Sequence, residues 1–148
     1  MLRGRVAKGA LAGLIASLVP LVINYSARHM GWSELVWADF AAAFALGRRA
    51  TSILEHVYTM GVVFWWLLLL GVVFALLLAR LPHENHLLVG WLYSTLIWFA
   101  SYTMGVVLHS PQIGPIGLNT ALTHFTAASS WGIALPLALN WLYARCAT

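Results

Sequence analysis

Charge is what this chain has least of. Of its 148 residues four are Asp or Glu and eight are Lys or Arg, so that 8% are charged, against about 25% in an ordinary soluble domain. That is too few to give every helix of a water-soluble fold a polar face. Cysteine is nearly absent as well. Cys146 stands alone near the C-terminal end, which excludes a disulfide framework and a thiolate metal site; it reads as an ordinary juxtamembrane thiol. Missing too are a phosphate-cradling glycine loop, an HExxH pair and a serine or cysteine nucleophile with a recognisable neighbourhood. These absences remove most enzyme classes, and no catalytic residue and no cofactor are expected.

What is abundant is apolar sequence, 61% of the chain. From Val57 to Ala79 there is no charge at all (VYTMGVVFWWLLLLGVVFALLLA). At ~1.5 Å of rise per residue this run makes roughly 35 Å of helix, enough to cross a ~30 Å hydrocarbon core with some tilt. The length supports one domain, 1–148, with no room for a separate soluble one. The fold class expected is all-α: a polytopic bundle of four transmembrane helices at about 6–26, 56–80, 87–108 and 120–143, plus a short interfacial or re-entrant helix at about 34–46.

Local signals place these segments. The N-terminus has the outline of a signal peptide, but the run from Gly9 to Ile23 is long for a cleaved h-region and no small-x-small site follows it, so a retained first helix is expected. Pro20 should kink that helix. Gly9, Gly13 and Ser17, and again Gly71, Ala75 and Ala79, form small-residue faces suited to close helix packing; together they exceed what one small bundle obviously needs, so a homo-oligomer or contact with other membrane proteins is expected. Ser33 is the expected cap of the short helix and Gly47-Arg48-Arg49 its stop. Ser52 and Glu55 fit a capping box, opening the second crossing at Ile53 and giving it about 28 residues. Pro82–His86 reads as a polar turn and Ser110–Gly117 as a loop, and Asn119 is the expected cap of the last helix.

The net charge of +4 and pI near 9.7 do not describe a nucleic-acid surface, because the cations are spread over segment ends. They orient the chain instead. With the N-terminus inside, Arg3, Arg5, Lys8, Arg80 and Arg145 are cytoplasmic and Arg28, Arg48 and Arg49 external, which favours cytoplasmic termini in a bacterial cytoplasmic membrane.

Histidine is where chemistry would begin. His29, His56, His109 and His124 fall near the external face in this topology, together with Asp39 and Glu55. Such a layer offers nitrogen and carboxylate ligands for a metal, or a proton relay. The plainer reading is that helix ends are where polar residues belong. His56 and His124 start two crossings at similar depth, as a bis-histidine haem pair would require. His83-Glu84-Asn85-His86 is read as a solvated turn. Asp39 needs a partner if its helix dips into lipid; a structural clamp with Arg48 or Arg49 is expected, alongside the Ser52–Glu55 cap.

Several stretches, GALAGLIASLVPLVINY, WADFAAAFALGRRATSILE, GVVFALLL, LLVGWLYSTLIWF and LNTALTHFTAASSWGIALPLALNWL, together resemble small four-helix membrane proteins of Gram-positive bacteria, broadly the YqhR group. The resemblance implies a polytopic bacterial membrane protein and assigns no role to any residue. The function expected is a structural or accessory membrane component. A small oligomeric transporter or channel is the first alternative, its path lined by Asn24, Asp39, Thr123, Ser129, Ser130 and Asn140; a metal or haem protein using the outer histidines is the second.

Overall fold

The computed structural model describes residues 2–81, 85–107 and 115–145. It is all-helical, with no strand among the described residues. The helices are α1 (Leu2–Ala16), α2 (Leu18–His29), α3 (Trp37–Leu46), α4 (Ile53–Leu78), α5 (His86–Val107) and α6 (Leu118–Ala144).

The first two are one rod broken by a proline. Pro20 has no N–H to give to the carbonyl four residues back, and the ladder is interrupted at Ser17. There the backbone N–H turns to the Leu14 carbonyl at 3.2 Å, and the hydroxyl donates to the same oxygen at 2.6 Å. Together the rod is 26 residues long from Gly4 to His29.

Three helices are long and apolar enough to cross a membrane: this rod, α4, and α5 from His86 to Gly105. Their outward sides carry what a soluble protein would hide, with Val22 66% exposed, Trp65 62% and Leu96 67%. The last helix, α6, has 27 residues, or roughly 40 Å, but is less apolar. It does not need to be apolar all round, because α1, α2 and α5 all pack on it and shield it. Trp131, Leu135 and Leu139 carry its side of the core.

Glycine sets how close the helices come. An added Cβ at Gly9 would lie 2.7 Å from the Gly71 carbonyl oxygen, and one at Gly71 would lie 2.8 Å from Gly13 Cα. At the second crossing a Cβ on Gly132 would sit 2.5 Å from the Gly90 carbonyl oxygen. Lipid supplies no hydrophobic drive for helices to associate, so such backbone contact is their main source of packing energy. The two small-residue faces meet within the chain, Gly9 and Gly13 lying against Gly71 and Ala75.

The helix ends follow local chemistry, with four corrections. Ile53 opens α4 as expected, the Glu55 N–H donating to Ser52 Oγ at 3.2 Å, but the carboxylate reaches one residue further back, to the Thr51 N–H at 2.8 Å. The helix ends at Leu78 after 26 residues, short of the expected 28 or so. Ser33 does not cap α3; its hydroxyl donates to the Leu35 carbonyl at 2.7 Å, and the helix starts four residues later at Trp37. The reason is Asp39, whose Oδ2 accepts from the Val36 N–H at 2.8 Å and so ties the first turn from within. Gly47 ends α3 at φ 66, as expected. Gly117, not Asn119, is the N-cap of α6. Asn85 closes the start of α5, its Oδ1 accepting from the Leu87 N–H at 3.1 Å and the Leu88 N–H at 3.3 Å.

Candidate functional site: a charge-free cleft between two helices

The 10-residue α3 rises only ~15 Å, too little to span. It packs along α4, and its aromatic face reaches across to the far side of the bundle. Phe40 stacks on Tyr102 of α5 with ring centroids 5.6 Å apart and meets His124 of α6 edge-on at 5.1 Å.

Beneath that bridge α4 and α5 barely touch, because α5 commits its glycine face to α6. The space left between them is a cleft of about 410 Å³. Its walls are aromatic and aliphatic, with Trp37, Phe40, Trp66, Leu67, Ile97 and Trp98 among the lining residues, and among the described residues no charged side chain lines it. At the end away from α3 the two helices are tied by the Tyr93 hydroxyl, which donates to the Leu70 carbonyl at 2.8 Å.

The polar groups of the cleft are few. His124 is 1% exposed. Its Nε2 lies 2.9 Å from the Leu35 carbonyl, and since a carbonyl only accepts, Nε2 carries the hydrogen. Nδ1 of the neutral ring is then an acceptor, and the Tyr102 hydroxyl donates to it at 2.8 Å. Both ring nitrogens are thus spent on holding α3, α5 and α6 together. Ser94 and Ser101 give their hydrogens to backbone carbonyls of their own helix, Trp91 at 3.0 Å and Ile97 at 2.8 Å. The indole Nε1 of Trp98 is buried, its ring packed 4.9 Å from Tyr102 and 5.2 Å from Phe125.

The residues singled out from sequence scatter. His29 is exposed at the end of α2. His56, in the first turn of α4, pairs with the Tyr25 hydroxyl at 2.9 Å, which also lies 3.0 Å from Met60 Sδ. His124 is engaged elsewhere, as above, so the two histidines read as a haem pair have different partners on different helices. His109 lies outside the described residues, as do His83, Glu84 and Cys146. Among the described residues no group of three His, Cys, Asp or Glu is placed to hold a metal ion. The clamp expected between Asp39 and Arg48 does not form. Asp39 serves the Val36 amide, and Arg48 turns instead to Glu55, with a two-pronged contact at 2.9 Å and 2.5 Å. That carboxylate raises the guanidinium of Arg48 above its ordinary value. Arg49 is exposed beside it.

The candidate pathway residues do not make a continuous polar line. Asn24 donates to the Pro20 carbonyl at 3.1 Å, Thr123 to Asn119 at 2.8 Å and Ser130 to Ala127 at 2.8 Å, each within its own helix. Ser129 accepts from Trp91 Nε1 at 3.1 Å, and Asn140 is exposed.

The cleft is the feature that sequence reasoning missed. It depends on which helix α5 chooses to pack against, and the one available signal was the Gly90/Gly132 pair, in which each glycine lies against the other's backbone.

No protein-family model, no curated protein and no solved structure matches the chain.

Proposed function

We propose that this is a four-crossing protein of the bacterial cytoplasmic membrane with both termini cytoplasmic, the kinked rod, α4, α5 and α6 being the crossings. It works without catalysis, as an accessory membrane component whose cleft between α4 and α5 takes up a molecule from the lipid phase. The resemblance to the YqhR group agrees with the topology and adds nothing on the ligand.

The observation that carries the reading is the apolar cleft, which no charged side chain among the described residues lines. Its volume falls within the ~300–1,000 Å³ of small-molecule sites, which are likewise mostly apolar with a few placed polar groups. The transporter and metal readings have less support, since Thr123 and His124 are spent on local hydrogen bonds and no group of three ligating side chains among the described residues is placed to hold a metal ion. The bilayer is the partner proposed. Gly9, Gly13 and Gly71, which suggested self-association, meet one another within the chain.

Two measurements test this. In a Cys146→Ser background, Thr51→Cys and Gly117→Cys label with a membrane-impermeant maleimide from outside intact cells, and Asn85→Cys labels only after permeabilisation. Finding Asn85 and Gly117 on one side would overturn the four-crossing topology. In vesicles doped with diazirine-acyl phosphatidylcholine, photolysis leaves adducts on Val63 and Ala128, buried residues on the cleft wall. Adducts confined to outward residues such as Leu96 and Phe99 would refute a lipid-accessible cleft.

A further inference from the structure

Resting on the membrane reading but not on the cleft, we infer that the end of the bundle where α1 starts and α6 stops binds the phosphate of an anionic phospholipid, held by Lys8 and Arg5. Charge is divided unevenly between the two ends. α1 and α4 run antiparallel, Gly9 lying against Gly71 and Ala75 and Gly13 against Leu67, so Arg80 after α4 returns to the end where α1 begins. Lys8 beside Tyr143 brings the last turn of α6 there as well. The whole net charge of +4 belongs to this end. Arg3, Arg5, Lys8, Arg80 and Arg145 are set against Glu84 alone, in the link from α4 to α5 and outside the described residues. At the other end Arg28, Arg48 and Arg49 are matched in number by Glu34, Asp39 and Glu55.

Lys8 is the cation set deepest. Its neighbour Gly9 lies against Gly71, seven residues before α4 ends at Leu78, which is ~10 Å below that end. Side chains on a helix lean toward its N-terminus, so Lys8 and Arg5 both lean toward the end of the bundle. Three residues apart, they also share one face of α1. The Lys8 ammonium is half-buried, its Nζ 4.3 Å from the centre of the Tyr143 ring. A ring face attracts the charge but leaves the three N–H donors without an oxygen to meet. Among the described residues neither Lys8 nor Arg5 has an ion pair or a hydrogen-bond acceptor, whereas Arg48 at the other end took Glu55. Two like charges on adjacent turns repel, and an anion between them turns that repulsion into attraction.

Depth and surroundings select a lipid as the bearer of that anion. Below Lys8 the same face of α1 continues in Leu11 and Ile15, 50% and 39% exposed, a strip along which an acyl chain can lie. Inorganic phosphate gains nothing from that strip and loses hydration by approaching it. A phospholipid puts its phosphate at the level of Lys8 and its chain at the level of Leu11. Beside the seam the Arg145 guanidinium lies 4.1 Å from the centre of the exposed Trp141 ring, adding to the positive field. A zwitterionic headgroup brings its own cation to compete for its phosphate, so the site favours a lipid of net negative charge.

The test is native mass spectrometry of the full chain released from non-ionic micelles, titrated with phosphatidylglycerol or with phosphatidylcholine of the same acyl chains. One phosphatidylglycerol should bind at about 10-fold lower concentration than phosphatidylcholine. Lys8→Gln and Arg5→Gln should each weaken phosphatidylglycerol by about 5-fold, the worth of one basic side chain at a membrane surface. Both should leave phosphatidylcholine binding and the far-UV dichroism near the parent's, which shows that they are folded; Lys8→Met, which keeps the apolar stem, replaces Lys8→Gln if that variant is not. Arg28→Gln at the other end should change neither lipid. Equal affinity for the two lipids, a preference that survives loss of both Lys8 and Arg5, or an equal loss in Arg28→Gln overturns the inference. Displacement of phosphatidylglycerol by inorganic phosphate at similar concentration would reveal a surface anion site and overturn the lipid assignment. If neither lipid binds at all, the membrane reading itself fails.

Discussion

Gly71→Ala and Gly61→Ala are the same chemical change, ten residues apart on α4, and the structure gives them opposite consequences. At Gly61 an added methyl meets nothing within 4 Å. Alanine there gains helix propensity over glycine, so the variant should be neutral or more stable by up to ~1 kcal/mol. At Gly71 the methyl would lie 2.8 Å from Gly13 Cα and 2.9 Å from Gly13 N, with the Gly9 carbonyl oxygen nearer still. Those neighbours are backbone on both sides and cannot rotate away. Ordinary van der Waals contact begins at 3.4 Å, so α1 and α4 must separate by roughly half an ångström or more, a gap that already forfeits a quarter or more of each dispersion contact along the seam. Overpacking costs typically 1–3 kcal/mol, and a backbone-to-backbone seam belongs in the upper half of that range, about 2–3 kcal/mol. The propensity gain offsets at most ~1 kcal/mol of it. Reversible unfolding in mixed micelles of mild detergent and SDS, followed by far-UV dichroism, reads the difference. Gly71→Ala should unfold at clearly lower SDS mole fraction than the parent, and Gly61→Ala at equal or higher. If the two variants behave alike, α1 and α4 do not meet through Gly9, Gly13 and Gly71, and the helix arrangement described above is wrong.

The same unfolding assay checks the polar tie at the head of the cleft. His124→Leu strands the Leu35 carbonyl and the Tyr102 hydroxyl, at ~1–3 kcal/mol for each buried group left unmade, so a loss of roughly 2–4 kcal/mol is expected; Tyr102→Phe, which strands Nδ1 alone, should cost about half as much. A His124→Leu protein as stable as the parent would mean that α3 is held by something else. Gly47→Ala forces a side chain into φ 66 and should cost ~1–2 kcal/mol, visible as a lower midpoint. Ser52→Ala removes the acceptor of the Glu55 N–H and should cost ~1 kcal/mol; amide exchange localised to the first turn of α4 would show it, and unchanged exchange there would refute the cap.

Much of the fold could be read along the chain because its signals are local. Pro20 breaks its helix whatever surrounds it, Gly47 supplies the left-handed stop, and Ser52 with Glu55 starts α4 where the cap chemistry says. Even the failures were local rules outcompeted by nearer ones: Asp39 took the Val36 amide, so the turn closed from inside α3 and Ser33 had nothing to cap. Pairing was not legible. A helix bathed in lipid has no polar face to mark its outside, so apolar side chains do not say which way is in. Glycine faces say that something approaches closely, without saying what; Gly9 and Gly13 could as well have met a second copy as Gly71. For the same reason the histidines were grouped by depth in the membrane, which hydropathy shows, when their partners are fixed by helix neighbours, which it does not.

The long helix that is less apolar than the other three is the one that organises them, and the two facts have one cause. Lipid contact selects for apolar sequence, and α6 is largely spared that contact by α1, α2 and α5. It can therefore carry Thr120, Thr123 and His124 in its buried first turns, at little cost because each has a partner: Thr120 takes the Glu34 N–H at 3.0 Å, Thr123 bonds Asn119, and His124 bonds Leu35 and Tyr102. Those bonds draw the α3 segment over the end of the bundle. Further along, Trp131 Nε1 reaches the Gly13 carbonyl at 3.2 Å, and Gly132 receives Gly90. Once α5 is pulled onto α6 and α4 onto α1, the gap between α4 and α5 cannot close, because each has already spent its small-residue face. The cleft is the residue of that competition: lowering hydropathy in the central helix allows the polar ties, the ties fix the neighbours, and the neighbours leave one seam of the bundle open.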